Sequence, residues 1–358
     1  MNKNQDLERR INEWTEQARN AKKPDDLHAV TQAMVDYGSP IRFQLRNYYL
    51  AAAAFAVLAV WLGFEVLGSR FHPQWLASLG GIFDWSSGAT GMVLAGMFGG
   101  LAVIATSIAF KKENLITKLT NAIMHRASLI HYGLEPINSD EVARLEKSFG
   151  DLRWGNYKRS FHDCYQGDYQ GEEHRFTYQP FRLHYVDEET KQEYDHVNKR
   201  WETKKVYHHY DRSGIVVDFP YAKGLHICQA FASTLYGKPY KPSSLEFDKA
   251  FHCRGKDAET LSRFLKPATV QSLSEAAREL PRLSIEVNED GKMCLGCGHR
   301  HVVQSIQNLT RETNPRISPE GFDKFIRASV EMPRLDKLNA LAHTLIRYSD
   351  SNFSRKTA

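Results

Sequence analysis

The chain lacks the short motifs that announce nucleotide or hydrolytic chemistry. No G-x-x-x-x-G-K-[ST], G-x-G-x-x-G, G-x-S-x-G or H-E-x-x-H occurs in its 358 residues, and no carboxylate pair stands out. Cysteine is scarce: Cys164, Cys228, Cys253, Cys294 and Cys297 are all there is, an odd number that points to reduced thiols. No long Lys or Arg run occurs, and the formal charge of +5 is mild and spread along the chain. That favours contact with an anionic membrane face over a nucleic-acid groove. Low-complexity segments are missing. A cleaved signal peptide is excluded by position, because a polar stretch of nearly fifty residues precedes the first apolar run.

Two long apolar runs organise what is present. One is Tyr48 to Leu67 and the other Ala89 to Phe110, each long enough to cross a hydrocarbon core and each carrying at most one charge. Helices buried in a soluble core give shorter runs, so the pair predicts a transmembrane hairpin. Arg42 and Arg46 precede it and Lys111 and Lys112 follow it, whereas the loop from Gly68 to Gly88 holds only Arg70 and His72. Both ends are therefore expected in the cytoplasm. Tyr48, Tyr49, Trp61, Trp75 and Trp85 fall near the expected interfaces, and Glu65 near the outer end of the first helix reads as an interfacial carboxylate. A G-x-x-x-G at Gly96 and Gly100 lets backbones approach closely. It is expected to seat the first helix, with a homo-oligomer as the alternative.

Around the hairpin the pattern is helical, then extended, then helical again. Leu7, Ile11, Trp14 and Ala18 make one amphipathic stripe, Pro24 interrupts it, and Leu27, Val30, Met34 and Tyr37 make a second. Beyond Lys112 the stripe Leu115, Ile116, Leu119, Ile123, Ala127 and Ile130 continues the second apolar helix as a stalk up to Gly133. Asn138 and Glu141 resemble a capping box. From Trp154 the period becomes two. A phase slip at Pro180 predicts a bulge or edge strand, Asp211 to Gly214 a hairpin turn between strands 201–210 and 214–219, Gly224 to Phe231 a further strand, and Asn288 to Gly291 another hairpin turn. Asp257 reads as an N-cap, Pro267 as a helix start and Pro333 as a break in the last helix. The fold class is α+β: a two-helix transmembrane hairpin followed by a cytoplasmic domain with an antiparallel sheet and flanking helices. The expected parts are a helical segment over 1–40, the hairpin over 41–112, a stalk over 113–150 and the α+β domain over 151–358.

This order of elements, with Tyr165-Gln166-Gly167-Asp168-Tyr169-Gln170-Gly171, Ala222-Lys223-Gly224-Leu225, Asp257-Ala258-Glu259, Leu265-Lys266-Pro267 and a closing Gly-Lys strand, resembles an uncharacterised bacterial membrane family, domain of unknown function 3137. The resemblance covers most of the chain from the first apolar run onward. The middle departs from it in being rich in histidine (His162, His174, His184, His196, His208, His209) and aromatic residues. What the resemblance implies is an α+β cytoplasmic domain on a bacterial inner-membrane anchor. It implies no activity.

Local chemistry is weak. Cys294, Cys297, His299 and His301 have the spacing of half a zinc site, but a lone C-x-x-C without a second pair is poor evidence, and on a strand the two thiols would face opposite ways. His252 and Cys253 are adjacent on an expected strand, Lys249 to Arg254, which separates base from nucleophile. His208 and His209 read as surface histidines, with a pH-sensitive contact as the sharper reading. Trp154, Tyr157, Lys158, Arg159 and Phe161 interleave like a nucleic-acid platform, yet beside a membrane they suit headgroups or the domain's own core better. No residue is assigned a catalytic, cofactor-binding or metal role. The expectation is a membrane-anchored, non-enzymatic protein whose cytoplasmic domain binds a protein or ligand near the bilayer, the alternative being a tethered enzyme with its site in the His/Cys-rich sheet.

Overall fold

The computed structural model describes residues 3–67, 78, 86–195, 199–229, 236–242, 244–304, 309–328 and 330–353. In chain order its helices are α1 (Lys3–Asn20), α2 (Pro24–Tyr37), α3 (Arg46–Leu67), α4 (Ser87–His131), α5 (Ser139–Ser148), α6 (Leu245–Ala250), α7 (Ala258–Phe264), α8 (Pro267–Glu279), α9 (Pro319–Ala328) and α10 (Pro333–Phe353). The strands are β1 (Glu135–Pro136), β2 (Lys158–His162), β3 (Tyr165–Gln170), β4 (Arg175–Asp195), β5 (Arg200–Asp218), β6 (Leu225–Cys228), β7 (Lys238–Tyr240), β8 (His252–Gly255), β9 (Ser284–Val287) and β10 (Lys292–Cys297). They divide into two units, one formed by residues 1–127 with 308–329 and one by 128–307 with 330–358.

The first unit is helical. Leu7, Ile11, Trp14 and Ala18 lie on the buried face of α1 as their spacing requires, and Leu27, Val30 and Met34 do the same on α2. Pro24 opens α2 at a position where a missing N–H costs nothing, and Asp26 accepts the backbone N–H groups of Lys22 and Lys23 at 2.8 and 3.0 Å. α9 packs on α2, joined by the Thr31 hydroxyl to the Asp323 carboxylate. In α4, Ile116, Leu119 and Ile123 are buried, and the flanks of that stretch are tied by Lys112 to Glu8 and by Arg126 to the Ala21 carbonyl. The expected stalk is therefore one wall of a helical body over this stretch.

α3 and the N-terminal part of α4 are different. Both are long and apolar enough to cross a membrane, and only 6% of each apolar window is buried. Val57, Phe64 and Val103 are 68, 73 and 66% exposed. The two helices meet through Phe55 and Phe98, whose rings stack 6.0 Å apart, and through Tyr49, whose hydroxyl donates to Glu113 at 3.2 Å. The expectation that Gly96 and Gly100 seat α3 fails: a side-chain carbon placed on either would meet nothing within 4 Å. Phe98 lies about half a turn from both glycines, so the seam and the G-x-x-x-G occupy different faces. Arg70, His72, Trp75, Trp85 and the side chain of Glu65 lie outside the described residues.

The second unit is built on a ten-stranded antiparallel sheet in the order β1-β3-β4-β5-β10-β9-β6-β8-β7, with β2 paired to β4 beside β3. Helices cover both faces. On one, α7, α8 and α10 bury Leu261, Phe264, Leu273, Leu338 and Leu345 against Ile215, Val217, Ile285 and Leu295. On the other, α5 and the 3-10 turn Gly150–Leu152 bury Leu145, Phe149 and Leu152 against Phe181, Leu183 and Val216. Asp257 caps as expected, accepting from the Thr260 N–H at 2.6 Å, and Asn138 accepts from that of Glu141 at 2.8 Å, the N-cap half of the expected capping box, while the Glu141 carboxylate accepts from Gln179.

Burial on both faces explains two departures from expectation. The phase slip at Pro180 is no bulge, because β4 and β5 pair without interruption from Tyr178↔Val217 to Asp195↔Arg200. Tyr178 belongs to the first core and Phe181, Leu183 and Tyr185 to the second, so the apolar set changes face. Pro180, with no N–H to give, falls where β4's other edge is free, after β3 pairing ends at Tyr178 and before β2 pairing starts at Arg182. The turn expected at Asp211 to Gly214 is likewise absent. These residues are mid-strand in β5, with Ser213 and Gly214 opposite Cys297 and Gly296. The strand expected from Lys249 begins only at His252, since α6 runs to Ala250. His196 and Phe231 lie outside the described residues.

Gly214 is fixed by this packing. An added side-chain carbon would strike the Leu295 carbonyl oxygen and come within 2.8 Å of the Phe181 ring. Gly214→Ala is expected to cost about 1–3 kcal/mol, read as a lower urea midpoint at unchanged m-value.

Candidate functional site

Alternate residues of the neighbouring strands β5, β10, β9 and β6 form two rows on the sheet face beneath α5. Register places Val216, Cys294, Glu286 and His226 in one row and Gly214, Gly296, Ser284 and Cys228 in the next. Arg212 follows Gly214 on the same face of β5. Gly214 and Gly296 carry no side chains, and into the space above Gly296 comes Asp151 from the 3-10 turn: a Cβ on Gly296 would lie 2.5 Å from the Asp151 carboxylate and 2.8 Å from the Arg212 guanidinium. Glycine is required here for room.

Asp151 and Arg212 are 0 and 5% exposed. Arg212 Nε donates to Asp151 Oδ2 at 2.9 Å and Nη2 to both carboxylate oxygens at 3.0 and 2.8 Å, while Nη1 reaches the Arg282 carbonyl at 3.3 Å. The Ser284 hydroxyl donates to Asp151 at 2.6 Å, and the Trp154 indole N–H reaches the same carboxylate at 3.3 Å. The Trp154 ring centroid lies 5.8 Å from the guanidinium carbon. Beside them Glu286 accepts the backbone N–H groups of Gly150 and Asp151 at 2.8 and 2.7 Å and the Tyr236 hydroxyl at 3.3 Å. The two buried carboxylates thus fasten the 3-10 turn to the sheet.

Electrostatics divides the three ionisable neighbours. Burial pushes the Asp151 carboxyl up, but Arg212 and the Ser284 hydroxyl more than reverse this and hold it below the usual range. Among the described residues Glu286 has no ion-pair partner, and burial carries it above its ordinary value despite the backbone donors. Burial lowers His226, which is 3% exposed, and among the described residues its Nε2 has no hydrogen-bond partner. Nearly every donor and acceptor in the cluster is spent inside it, so its chemistry is that of a clasp. Tyr236 leads from the clasp to an open cleft of about 570 Å³ between α5 and the β9–β10 turn, lined by Arg144, Lys147, Gln179, Tyr236, Asn288 and Lys292 among others.

The residues singled out by spacing are dispersed. Cys294 lies under the clasp and Cys297 in the core of the opposite face, so the C-x-x-C straddles the sheet. His299 Nε2 is 3.0 Å from the Glu279 carbonyl, and His301 Nδ1 is 3.9 Å from Asp163. Among the described residues no group of three or more His, Cys, Asp or Glu is arranged to hold a metal ion. Burial pushes the Cys253 thiol up to about 12 and that of Cys294 well above its ordinary value, which leaves neither a ready thiolate. His252 is exposed where Cys253 is buried. His184 and His209 stack 5.4 Å apart on β4 and β5, with Asp211 3.2 Å from His184 Nδ1, and His208 reaches Glu189 at 3.1 Å. Arg159 spends its guanidinium on the Trp154 and Gly155 carbonyls and on Glu146. Asp151, Arg212, Ser284, Glu286 and His226 escape sequence reasoning: the strand residues Ser284, Glu286 and His226 alternate with apolar ones and read as the wet face of a strand, Arg212 falls in a segment with the composition of a turn, and Asp151 follows the end of a helix.

These features define an α+β protein bearing two helices long and apolar enough to span a membrane. No known family, characterised protein or solved structure matches the chain.

Two outcomes follow from the clasp. Arg212→Met leaves Asp151 buried and uncompensated and is expected to lose about 3–5 kcal/mol, with a clear coupling energy in a double-mutant cycle with Asp151→Asn. His226 has its folded pKa below the ordinary 6.5, so its contribution is full above that value and is lost as pH falls through the window beneath it. His226→Phe should flatten the decline in chemical-denaturation stability on acidification below about pH 6.5.

Proposed function

We propose that this chain is an integral protein of the bacterial inner membrane, anchored by α3 and α4 as a hairpin with both termini in the cytoplasm. Its second unit acts as a non-catalytic module that binds a protein or ligand near the bilayer. The exposure of the apolar helices carries the anchor: side chains such as Val57, Phe64 and Val103 face outward along spans that pack on nothing else in their own unit over most of their surface. Water penalises such surface and hydrocarbon does not. Arg42, Arg46, Lys111 and Lys112 flank the spans and support the orientation. Gly96 and Gly100 stay open on α4, which offers a second copy a close-packing face. Binding without catalysis is supported by the clasp, which consumes its own charges, and by the open cleft beside it.

Topology is testable with single cysteines at exposed serines on a background lacking the native ones. Ser78 lies between the spans and Ser351 near the end of α10, both exposed. In intact cells a membrane-impermeant maleimide is expected to label Ser78→Cys with the outer membrane made permeable, and to label Ser351→Cys only after lysis. Labelling of Ser351→Cys in intact cells would overturn the orientation.

A further inference from the structure

We infer that the cleft at the foot of α3 binds the phosphate of an anionic phospholipid in the leaflet that this helix enters. The cleft, of about 660 Å³, is lined by Asn4, Arg42, Gln44, Arg46, Asn47 and Tyr48 among others, and no carboxylate of the described residues lines it. Between α2 and α3 the chain ends in a short extended strap. Ile41, Phe43 and Leu45 are buried, and Arg42, Gln44 and Arg46 alternate with them on the exposed side. Asn4 of α1 fastens the strap in both directions: its Nδ2 donates to the Gln44 carbonyl at 2.9 Å, and its Oδ1 accepts the Gln44 N–H at 2.8 Å. The two arginines are thereby held on one side of a fixed backbone.

Charge at this cleft is of one sign and uncompensated. Among the described residues neither Arg42 nor Arg46 has an ion-pair or side-chain hydrogen-bond partner. The acids that follow Asn4 on α1 are engaged elsewhere. Asp6 pairs with Arg9 and Arg10 at 3.1 and 3.0 Å, and Glu8 with Lys112, whose ammonium also lies 5.4 Å from the Phe43 ring centroid. A guanidinium fork matches a phosphate, and Gln44, Asn47 and Tyr48 bring uncharged donors to the same opening. Location favours a lipid over a soluble anion. Arg46 is the first residue of a helix long and apolar enough to cross a membrane, and Tyr49 and Leu50 just beyond it are exposed. Once α3 spans the bilayer, headgroups stand at the level of the cleft.

The test is a lipid titration of the full-length protein in detergent, read as adducts in native mass spectrometry. The probes are phosphatidylglycerol and, separately, phosphatidylcholine with the same acyl chains. Phosphatidylglycerol is expected to bind saturably and about tenfold more tightly than phosphatidylcholine. Arg42→Gln and Arg46→Gln, both at exposed positions, should each weaken it by about tenfold. Lys111→Gln removes an exposed charge at the other flank of the two spans and should change it by less than about twofold. Equal affinity for the two lipids, or an equal loss in all three variants, overturns the site, because general attraction between basic flanks and an anionic surface needs no cleft. Displacement of phosphatidylglycerol by an equal concentration of inorganic phosphate overturns the lipid and leaves a soluble anion in its place. The inference rests on reading α3 as a membrane span, and the two fail on different readouts. A chain that alkaline carbonate strips from membranes removes the span, whereas an integral chain with no preference between the lipids removes the site alone.

Discussion

The ion pair between Asp151 and Arg212 closes one whole face of the second unit. Taking a guanidinium and a carboxylate out of water is expensive, and the cost is offset only because the two meet through several short bonds and their remaining valences go to Ser284, Trp154 and the Arg282 carbonyl. Asp151 belongs to the 3-10 turn that follows α5, so the pair decides where that turn sits, and Glu286 adds two bonds to the same backbone. Leu145, Phe149 and Leu152 can then cover Phe181, Leu183 and Val216. Without the clasp the sheet would present these residues to water, and the wall of the cleft would have no fixed position.

Such an arrangement is hard to see in a sequence, and the reasons differ between elements. Helices with one wet face were legible from period alone: α1, α2, α8 and the long α4 follow their apolar stripes, and Asn138, Asp257 and Pro267 mark starts where side-chain oxygens or a fixed φ are needed. Strands covered on both faces were not. In β5 every residue from Arg212 to Val217 is buried, and a segment reading Asp-Arg-Ser-Gly has the composition of a turn. Only the neighbours of Arg212 in space show why a charge stands there: a glycine opposite, a carboxylate above and a tryptophan beside it. Local composition carries none of that. The alternation of a strand was legible at the C-x-x-C, since Cys294 and Cys297 are near in sequence and separated by the thickness of a sheet.

The clasp and the cleft share Tyr236, and this links the rigid part of the unit to its open one. Its hydroxyl is donated to Glu286, whose carboxyl burial holds above the ordinary range, while its ring lines the cleft near Asn288. Asn288 in turn is fixed by the turn that joins β9 to β10, the two strands that carry Glu286, Ser284 and Gly296 into the clasp. The turn that Asn288 holds and the clasp are thus carried by the same two strands, β9 and β10.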